Sequence, residues 1–215
     1  ELSEASRVES GTDIIIYLKE ESEEYLESWE LKNLIKKYSN YIAFPVEMEK
    51  APEKDEDGKE VSGAVEYEVV NNTKPIWKRA SSEVTAEEYE EFYSSSCGGF
   101  GKPAKTIHNK VEGTLEYDSI MFFPTALSPY EVNNMERKPG MKLYVRKVFI
   151  SDDIKELLPE YFRFVKGVVD TDDLPLNVSR ELLQDNPMIR KIGKALTGKV
   201  FTELKKLAEK KPEEY

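Results

Sequence analysis

A mostly apolar strand, an acidic loop and a helix follow one another in residues 164–184, and this succession constrains the fold more than any other part of the chain. The apolar character of residues 164–169 predicts a buried strand. The loop that follows contains aspartates and Pro175, and a helix is predicted to begin near Ser179, because serine caps helix starts. Strands mixed with covering helices indicate a layered α/β domain.

Two polar side chains lie at the start of this predicted helix. Arg180 and Gln184 are four residues apart, so both leave the same face of its first turn. A guanidinium and an amide at the amino end of a helix, where the helix dipole is positive, suit a negatively charged ligand oxygen. The alternative is that Arg180 forms an ordinary surface ion pair with Asp172 or Asp173.

The run DDLPLNVSRELLQ, preceded by FVKGVVD, resembles the catalytic loop of the heat shock protein 90 family of molecular chaperones. The similarity extends over most of the chain. It includes GTDIIIYLKE at 11–20, KYSNYIAFPVEME at 37–49, KPIWKR at 74–79, EEYEEFY at 87–93, HNKVEGTLEYDSIMFFP at 108–124 and LYVRKVFISDD at 143–153.

The resemblance implies roles for three residues of the loop. In that family the loop belongs to the middle domain, and its arginine reaches the γ-phosphate of ATP bound by the N-terminal domain. Arg180 is therefore expected to be catalytic and to contact the phosphate. Asn177 and Gln184 are expected to help position the loop and the phosphate. The implied cofactor is ATP, with Mg in the full-length protein.

The resemblance also divides the chain into three parts. Residues 1–46 match the last strand and helix of the N-terminal ATP-binding domain, and residues 47–62 match the charged linker. Residues 63–215 match the first, larger subdomain of the middle domain, an α/β/α sandwich. The family's adenine-binding carboxylate, glycine-rich lid and magnesium-coordinating asparagine have no counterpart in this sequence. We therefore expect a fragment or processed product, which also lacks an initiator Met, and which alone neither binds nor hydrolyses ATP.

Hydrophobic patterning predicts the remaining elements. The predicted strands are 12–18, 64–70, 112–123 and 142–150, and the predicted helices are 22–39, 84–93, 152–162 and a last helix capped by Asn186 with Pro187 at its first position. An apolar stripe on the last helix is expected to pack in the core. Residues 47–62 are charged and are either a linker or a solvated hairpin tip.

Two segments are candidates for binding client proteins. Trp77 is either a core residue or, as its counterpart in the family implies, a ring that projects near docked clients. Loop 124–141 contains Leu127, Tyr130 and Met135 without a regular pattern that would bury them. Its family counterpart is a mobile loop that contacts clients, and the alternative is an ordinary long hairpin loop.

Composition excludes several other functions. A net charge of -11 disfavours nonspecific binding to nucleic acid, which needs clustered basic residues. One cysteine, Cys97, and one histidine, His108, exclude an intramolecular disulfide and a protein-only zinc site of these ligands, and the sequence contains no nucleotide-binding glycine motif. No apolar run is long enough to span a membrane.

The resemblance finally implies the setting in which the chain acts. The expected partners are partly folded client proteins, co-chaperones, the N-terminal ATP-binding domain and a second copy in the full-length homodimer. The short linker, IHNKVEGTLEYDSI and KKPEEY are similar to bacterial or mitochondrial members, which predicts a cytoplasmic protein or, alternatively, one in mitochondria or another organelle. The competing function is a non-catalytic interaction scaffold in which Arg180 is structural.

Overall fold

The structure is a computed structural model that describes residues 10–50, 65–126, 139–175, 186–213 and 215. The strands in these residues are β1 (Glu47–Glu49), β2 (Tyr67–Val69), β3 (Pro103–Val111), β4 (Tyr117–Pro124), β5 (Met141–Val145), β6 (Val148–Ser151) and β7 (Lys166–Thr171). The α-helices are α1 (Ser28–Leu34), α2 (Ala86–Ser95) and α3 (Pro187–Lys210). Short 3₁₀ turns cover Glu20–Leu26, Ile76–Lys78, Ser81–Glu83 and Glu160–Phe162, and a π-helical turn covers Ile35–Ser39.

Five strands form one mixed sheet in the order β3-β4-β7-β5-β6. Neighbouring strands are antiparallel except β5 and β7, which are parallel. This topology places β7 at the centre of the sheet, where all six of its residues are buried. The predicted strand at 164–169 is thus confirmed, with its observed bounds shifted by two residues.

Side chains alternate between the two faces of the sheet, and each face has its own core. On β4, Met121 and Phe123 pack on one face, while Ile120 and Phe122 pack on the other. The first face is covered by the buried stripe of α3, and the second by α2 and the segment that contains Trp77. The predicted α/β/α layering is therefore confirmed.

Helix α3 begins as the sequence predicts. The side chain of Asn186 accepts a hydrogen bond from the backbone N–H of Met188 at 2.9 Å, and Pro187 occupies the first helical position. Further along, Gly193 faces the backbone carbonyl of Glu156 so closely that a Cβ atom would clash with it. The glycine therefore lets the helix approach the segment before β7.

Two predicted elements are wrong. Residues 12–18 form no strand, and Ile14 and Tyr17 are 81% and 91% exposed, because no described strand pairs with this apolar run. Residues 152–162 are not a helix, although Ile154 and Leu158 are buried at helical spacing. Pro159 lacks a backbone N–H and its ring obstructs a preceding helical turn, so this segment forms turns instead.

Other predicted elements are present with different bounds. The predicted strand 142–150 is a hairpin, β5 and β6, whose two-residue turn consists of Arg146 and Lys147 at φ 50° and 68°. The predicted helix 22–39 is divided among a 3₁₀ turn, α1 and a π-helical turn. Strand β3 was not among the predicted strands, and only residues 117–123 of the predicted strand 112–123 lie in β4.

The charged segment 47–62 begins inside a small hairpin. Strand β1 pairs with β2 in antiparallel register, with Glu47 opposite Val69. The first three residues of the segment therefore belong to a strand, as the hairpin alternative requires, whereas residues 51–62 lie outside the described part of the chain. In the described ranges no helix has the length and apolar character needed to cross a membrane.

Candidate functional site at the carboxyl end of strand β7

The loop predicted to be catalytic connects the end of β7 to the start of α3. Arg180, Asn177 and Gln184 lie outside the described residues. The structure does describe the two ends of this loop, residues 170–175 and residue 186, and the side chains that hold them.

The start of the loop is held by a small hydrogen-bond network. The Thr171 hydroxyl donates to the Glu116 carbonyl at 2.7 Å and accepts from the Asp173 backbone N–H at 3.3 Å. The Asp173 carboxylate in turn accepts from the Glu116 backbone N–H at 3.0 Å. Leu174 is buried in the core below α3. These contacts fix the direction in which the chain leaves the sheet.

The end of the loop is fixed by α3. Asn186 caps the helix, and Ile189 and Ile192 are fully buried one and two turns later. A capping residue followed by buried side chains anchors the first turns of a helix to the core. The loop between Pro175 and Asn186 thus connects two anchored points.

Asp170, the last β7 residue but one, is a fully buried carboxylate with several donors. Its Oδ2 accepts from the indole N–H of Trp77 at 2.9 Å, and its Oδ1 accepts from the backbone N–H of Lys147 at 3.1 Å. The second bond supports a turn residue in left-handed backbone conformation, which costs non-glycine residues conformational energy. One side chain therefore connects β7 to the β5–β6 turn and to the Trp77 segment.

Lys78 places its ammonium group among three aspartates. Its Nζ lies 2.9 Å from Asp118 Oδ2, 3.3 Å from Asp170 Oδ2 and 3.7 Å from Asp172 Oδ1. Asp118 and Asp170 are direct partners across the antiparallel β4–β7 ladder. Burial opposes the charged form of Lys78, but the hydrogen bond to Asp118 and the three negative charges outweigh burial and raise its pKa.

A cleft of about 340 Å³ opens beside this cluster. Its charged lining residues are Lys78, Lys110, Glu112, Glu116, Asp118, Asp170 and Asp172. The five carboxylates outnumber the two ammonium groups, so the cleft is electronegative. In the part of the chain that the structure describes, no group of three or more acidic, histidine or cysteine side chains is arranged to hold a metal ion.

Trp77 is a core residue. It is 1% exposed, and its ring packs against Tyr41, Tyr144 and Phe92 at centroid distances of 4.5, 4.9 and 5.7 Å. The expectation that this ring projects towards clients is wrong for this structure, because the ring fills the core and its N–H bonds Asp170. The other predicted client-binding residues, Leu127, Tyr130 and Met135, lie outside the described residues.

His108 and Cys97 are partly buried, and their contacts among the described residues are not those of a catalytic pair. His108 Nδ1 lies 2.6 Å from the Tyr89 hydroxyl and Nε2 lies 3.3 Å from the Trp77 carbonyl, so a neutral ring can accept at one nitrogen and donate at the other. Burial lowers the pKa of His108, which favours that neutral form. Burial likewise raises the pKa of the Cys97 thiol to about 12, so it is protonated at neutral pH.

A sequence profile described as Hsp90 protein matches residues 47–215 of this chain, which is more than half of its length. The chain belongs to the Hsp90 family. Two relatives named chaperone protein HtpG illustrate the similarity. One, from Geobacter sulfurreducens, is 45% identical over 100% of the chain, and another, from Francisella tularensis subspecies novicida, is 52% identical over 95% of it.

The similarity to Hsp90 proteins covers a limited part of each relative. The chain spans about a third of their length, 34% of the Geobacter protein and 32% of the Francisella protein. A solved structure, the middle domain of a Plasmodium falciparum heat shock protein, matches with a TM-score of 0.55 and 29% identity. That match covers 64% of this chain and 52% of the other. The α/β/α unit described above is therefore an Hsp90 middle-domain fold.

The sequence alone does not reveal that Lys78, Asp118 and Asp170 form one cluster. Lys78 and Asp170 are 92 residues apart in the sequence, and a strand pairing brings Asp118 beside Asp170. No local spacing encodes such a contact. The available signal was a pair of charged residues next to apolar strand positions, where an unpaired charge would be costly to bury.

Proposed function

We propose that this chain is the middle-domain part of an ATP-dependent molecular chaperone, in which Arg180 contacts the γ-phosphate of ATP held by an N-terminal domain. Asn177 and Gln184 position the loop and the phosphate. ATP and its Mg are held by residues outside this chain. A cation presented to a phosphate that another domain holds stabilises the negative charge of phosphoryl transfer.

The observation that carries this proposal is the anchoring of both ends of the loop in an Hsp90 middle-domain fold. Thr171 and Asp173 fix its start through Glu116, and Asn186 fixes its end. An arginine that completes a site on another domain must be presented from a rigid support, because small misplacements reduce the rate steeply. The anchored ends supply that support.

The test uses the full-length protein, with its ATP-binding domain, and the substitution Arg180→Ala. We expect kcat for ATP hydrolysis to fall by about a thousandfold or more, with ATP affinity close to that of the unmodified protein. Arg163→Ala is a matched control, because Arg163 precedes the opposite end of β7 and pairs with Glu160 at 3.5 Å. Its turnover should be unchanged.

The competing function is a non-catalytic interaction scaffold. Unchanged ATP turnover in the Arg180→Ala protein would reject the catalytic proposal and favour the scaffold. Equal losses in the Arg180→Ala and Arg163→Ala proteins would also reject it, because they would indicate a general loss of structure. Loss of hydrolysis with retained ATP binding, in the first variant alone, supports the catalytic role.

The same chaperone is proposed to bind partly folded client proteins through Leu127, Tyr130 and Met135. The support is chemical: flexible and aromatic apolar side chains suit contacts with many partners. An apolar groove of about 900 Å³, whose lining includes Phe123, lies where β4 leads into the segment that contains these residues. Phe201, another lining residue, is 54% exposed.

A triple variant tests the client proposal. Replacing Leu127, Tyr130 and Met135 with serine should weaken binding of an unfolded model protein by about tenfold, while ATP affinity and the melting temperature stay unchanged. A triple serine variant of the exposed residues Glu20, Glu23 and Glu24, none of which lines the groove, is a control. Unchanged client binding in the first variant would contradict the proposal.

The proposal extends to the partners of the whole chaperone. Co-chaperones, the N-terminal ATP-binding domain and a second copy of the protein are its proposed partners, supported by membership of the Hsp90 family. The similarity to bacterial relatives supports a cytoplasmic site of action. Sedimentation of the full-length protein would test the homodimer, and a monomer at micromolar concentration would contradict it.

A further inference from the structure

We infer that Lys78 is a positioning residue for ATP hydrolysis, acting through the loop that begins at Asp172. This inference rests on the proposed function of Arg180 and adds a second, distant residue to it. Lys78 lies on the segment before α2, far from the loop in sequence, yet its ammonium group contacts the strand end from which the loop departs.

Lys78 lies between two like charges that face each other across two strands. Asp118 and Asp170 are opposite each other in the β4–β7 ladder, and like charges in that arrangement repel. Both are buried, and Lys78 Nζ lies within 3.3 Å of an oxygen of each. The second oxygen of Asp118, Oδ1, is buried with no hydrogen-bond partner among the described residues. The charge of Asp118 is therefore compensated mainly by Lys78.

The same cation contacts the start of the loop through Asp172. Asp172 is the first residue after β7, and its carboxylate is the outermost of the three around Lys78, at 3.7 Å. The backbone carbonyl of Asp172 also accepts from Arg146 Nε at 3.3 Å. Asp172 is thus held on its side chain by Lys78 and on its backbone by the β5–β6 turn. Removing Lys78 abolishes the side-chain contact of Asp172 and leaves three negative charges close together.

Lys78 is itself held rigidly by its neighbours in the chain. Its neighbour Trp77 is buried and bonds Asp170, while Arg79 pairs with Glu88 of α2 at 2.6 Å. A charged side chain between two anchored residues has a defined position, which is the requirement for positioning another segment. The cluster therefore links the α2 layer to the start of the proposed catalytic loop.

The test compares Lys78→Met with Lys110→Met in the full-length protein. Lys110 lines the same cleft, but it pairs with Glu112 at 2.7 Å and is a matched control for loss of one positive charge. We expect Lys78→Met to lower kcat by about ten- to a hundredfold, the scale expected for a displaced catalytic group, with ATP affinity unchanged. Lys110→Met should keep the unmodified kcat. Equal kcat in the two variants would overturn the inference.

A compensated variant separates positioning from stability. Lys78→Met with Asp118→Asn removes one positive and one negative charge, so the ladder pair no longer repels, while Asp172 still lacks its partner. We expect this double variant to melt closer to the unmodified protein than Lys78→Met and to keep the kcat defect. Full recovery of kcat together with stability would assign Lys78 a structural role only and overturn the inference.

The exposed residue Asp172 provides a variant whose folding is not at risk. Its side chain is 62% exposed, so Asp172→Asn changes the loop side of the contact without leaving a buried charge. We expect a several-fold lower kcat and an unchanged melting temperature. An unchanged kcat here would contradict the inference, whether or not the Lys78→Met protein folds.

A double-mutant cycle distinguishes this inference from the proposed function. In an Arg180→Ala background, Lys78→Met should cause no further loss of kcat, because both residues act on one step. A full additional loss would overturn the inference and leave the role of Arg180 intact. If Arg180→Ala alone does not lower kcat, the proposed function fails, and the inference that rests on it fails for that separate reason.

Discussion

Replacing Trp77 with alanine should destabilise the fold, because the ring lies in the core. The ring is 1% exposed, contacts three aromatic residues and bonds the buried Asp170 carboxylate. Removing a buried tryptophan side chain costs about 3–5 kcal/mol. A buried acceptor that loses a donor adds about 1–3 kcal/mol, although the two costs are not strictly additive. We expect Trp77→Ala to lower the free energy of unfolding by about 4 kcal/mol or more.

For a chain of this length, that loss corresponds to a melting temperature lower by about 8–16 °C. Thermal melting and urea denaturation followed by circular dichroism would measure it. Trp77→Phe separates the two contributions, because it keeps an aromatic ring and removes the N–H donor, and it should cost about 2 kcal/mol.

The second tryptophan is a matched control. Trp29 is 62% exposed, so Trp29→Ala should change stability by about 0.5 kcal/mol or less. If the Trp77→Ala protein had the melting temperature of the unmodified protein and lost only client binding, the burial argument would be refuted. For the same reason, a client-binding defect of Trp77→Ala is informative only when the folded fraction is measured alongside it.

Three further predictions concern His108, Asn186 and Cys97. Burial lowers the pKa of His108 in the folded protein below its ordinary value of 6.5. Below about pH 6.5 the unfolded state therefore binds more protons than the folded state, and the free energy of unfolding decreases as the pH falls towards the folded pKa. The difference between the urea midpoints at pH 7.5 and pH 5.5 should therefore be smaller in His108→Gln than in the unmodified protein. Asn186→Ala removes the α3 cap and should cost about 1 kcal/mol in urea unfolding; no change would mean that the cap is dispensable. The partly buried Cys97 thiol should react with iodoacetamide much more slowly in native protein than in urea, and equal rates would contradict its raised pKa.

The starts of α2 and α3 were predicted well from sequence, because the signals that fix them are local. Thr85 and Glu88 form a reciprocal capping box on α2, and Asn186 with Pro187 opens α3. The apolar stripe of α3 also predicted its buried face. Each of these patterns lies within one or two helical turns, so no tertiary information is needed to recognise it.

Elements that depend on distant partners were predicted less well. The apolar run at 12–18 has the composition of a strand, but a strand needs a neighbour, and none of the described strands pairs with it. The Arg146–Lys147 turn lacks the glycine or asparagine that usually marks a two-residue hairpin, and it is supported instead by Asp170. Edge strand β3 has little apolar alternation because most of its residues are only half-buried.

The candidate site likewise has one part that could be predicted from the sequence and one part that could not. The loop that contains Arg180 is contiguous in sequence, so its chemistry could be proposed from the residues and from the family resemblance. Its supports, Lys78 and Asp118, come from the segment before α2 and from strand β4, and they meet Asp170 only after the sheet forms. A side chain's neighbours across a sheet follow from register and topology, which a linear pattern does not specify.

The Lys78 cluster also limits how this surface can change during evolution. Two buried aspartates that face each other across a strand pair repel one another, so the fold accommodates both only when a cation lies between them. Substitution at position 78 by a neutral residue should therefore be accepted in descendants that have already lost one of the two carboxylates. The order of the changes matters, and the intermediate with both acids and no base should be rare.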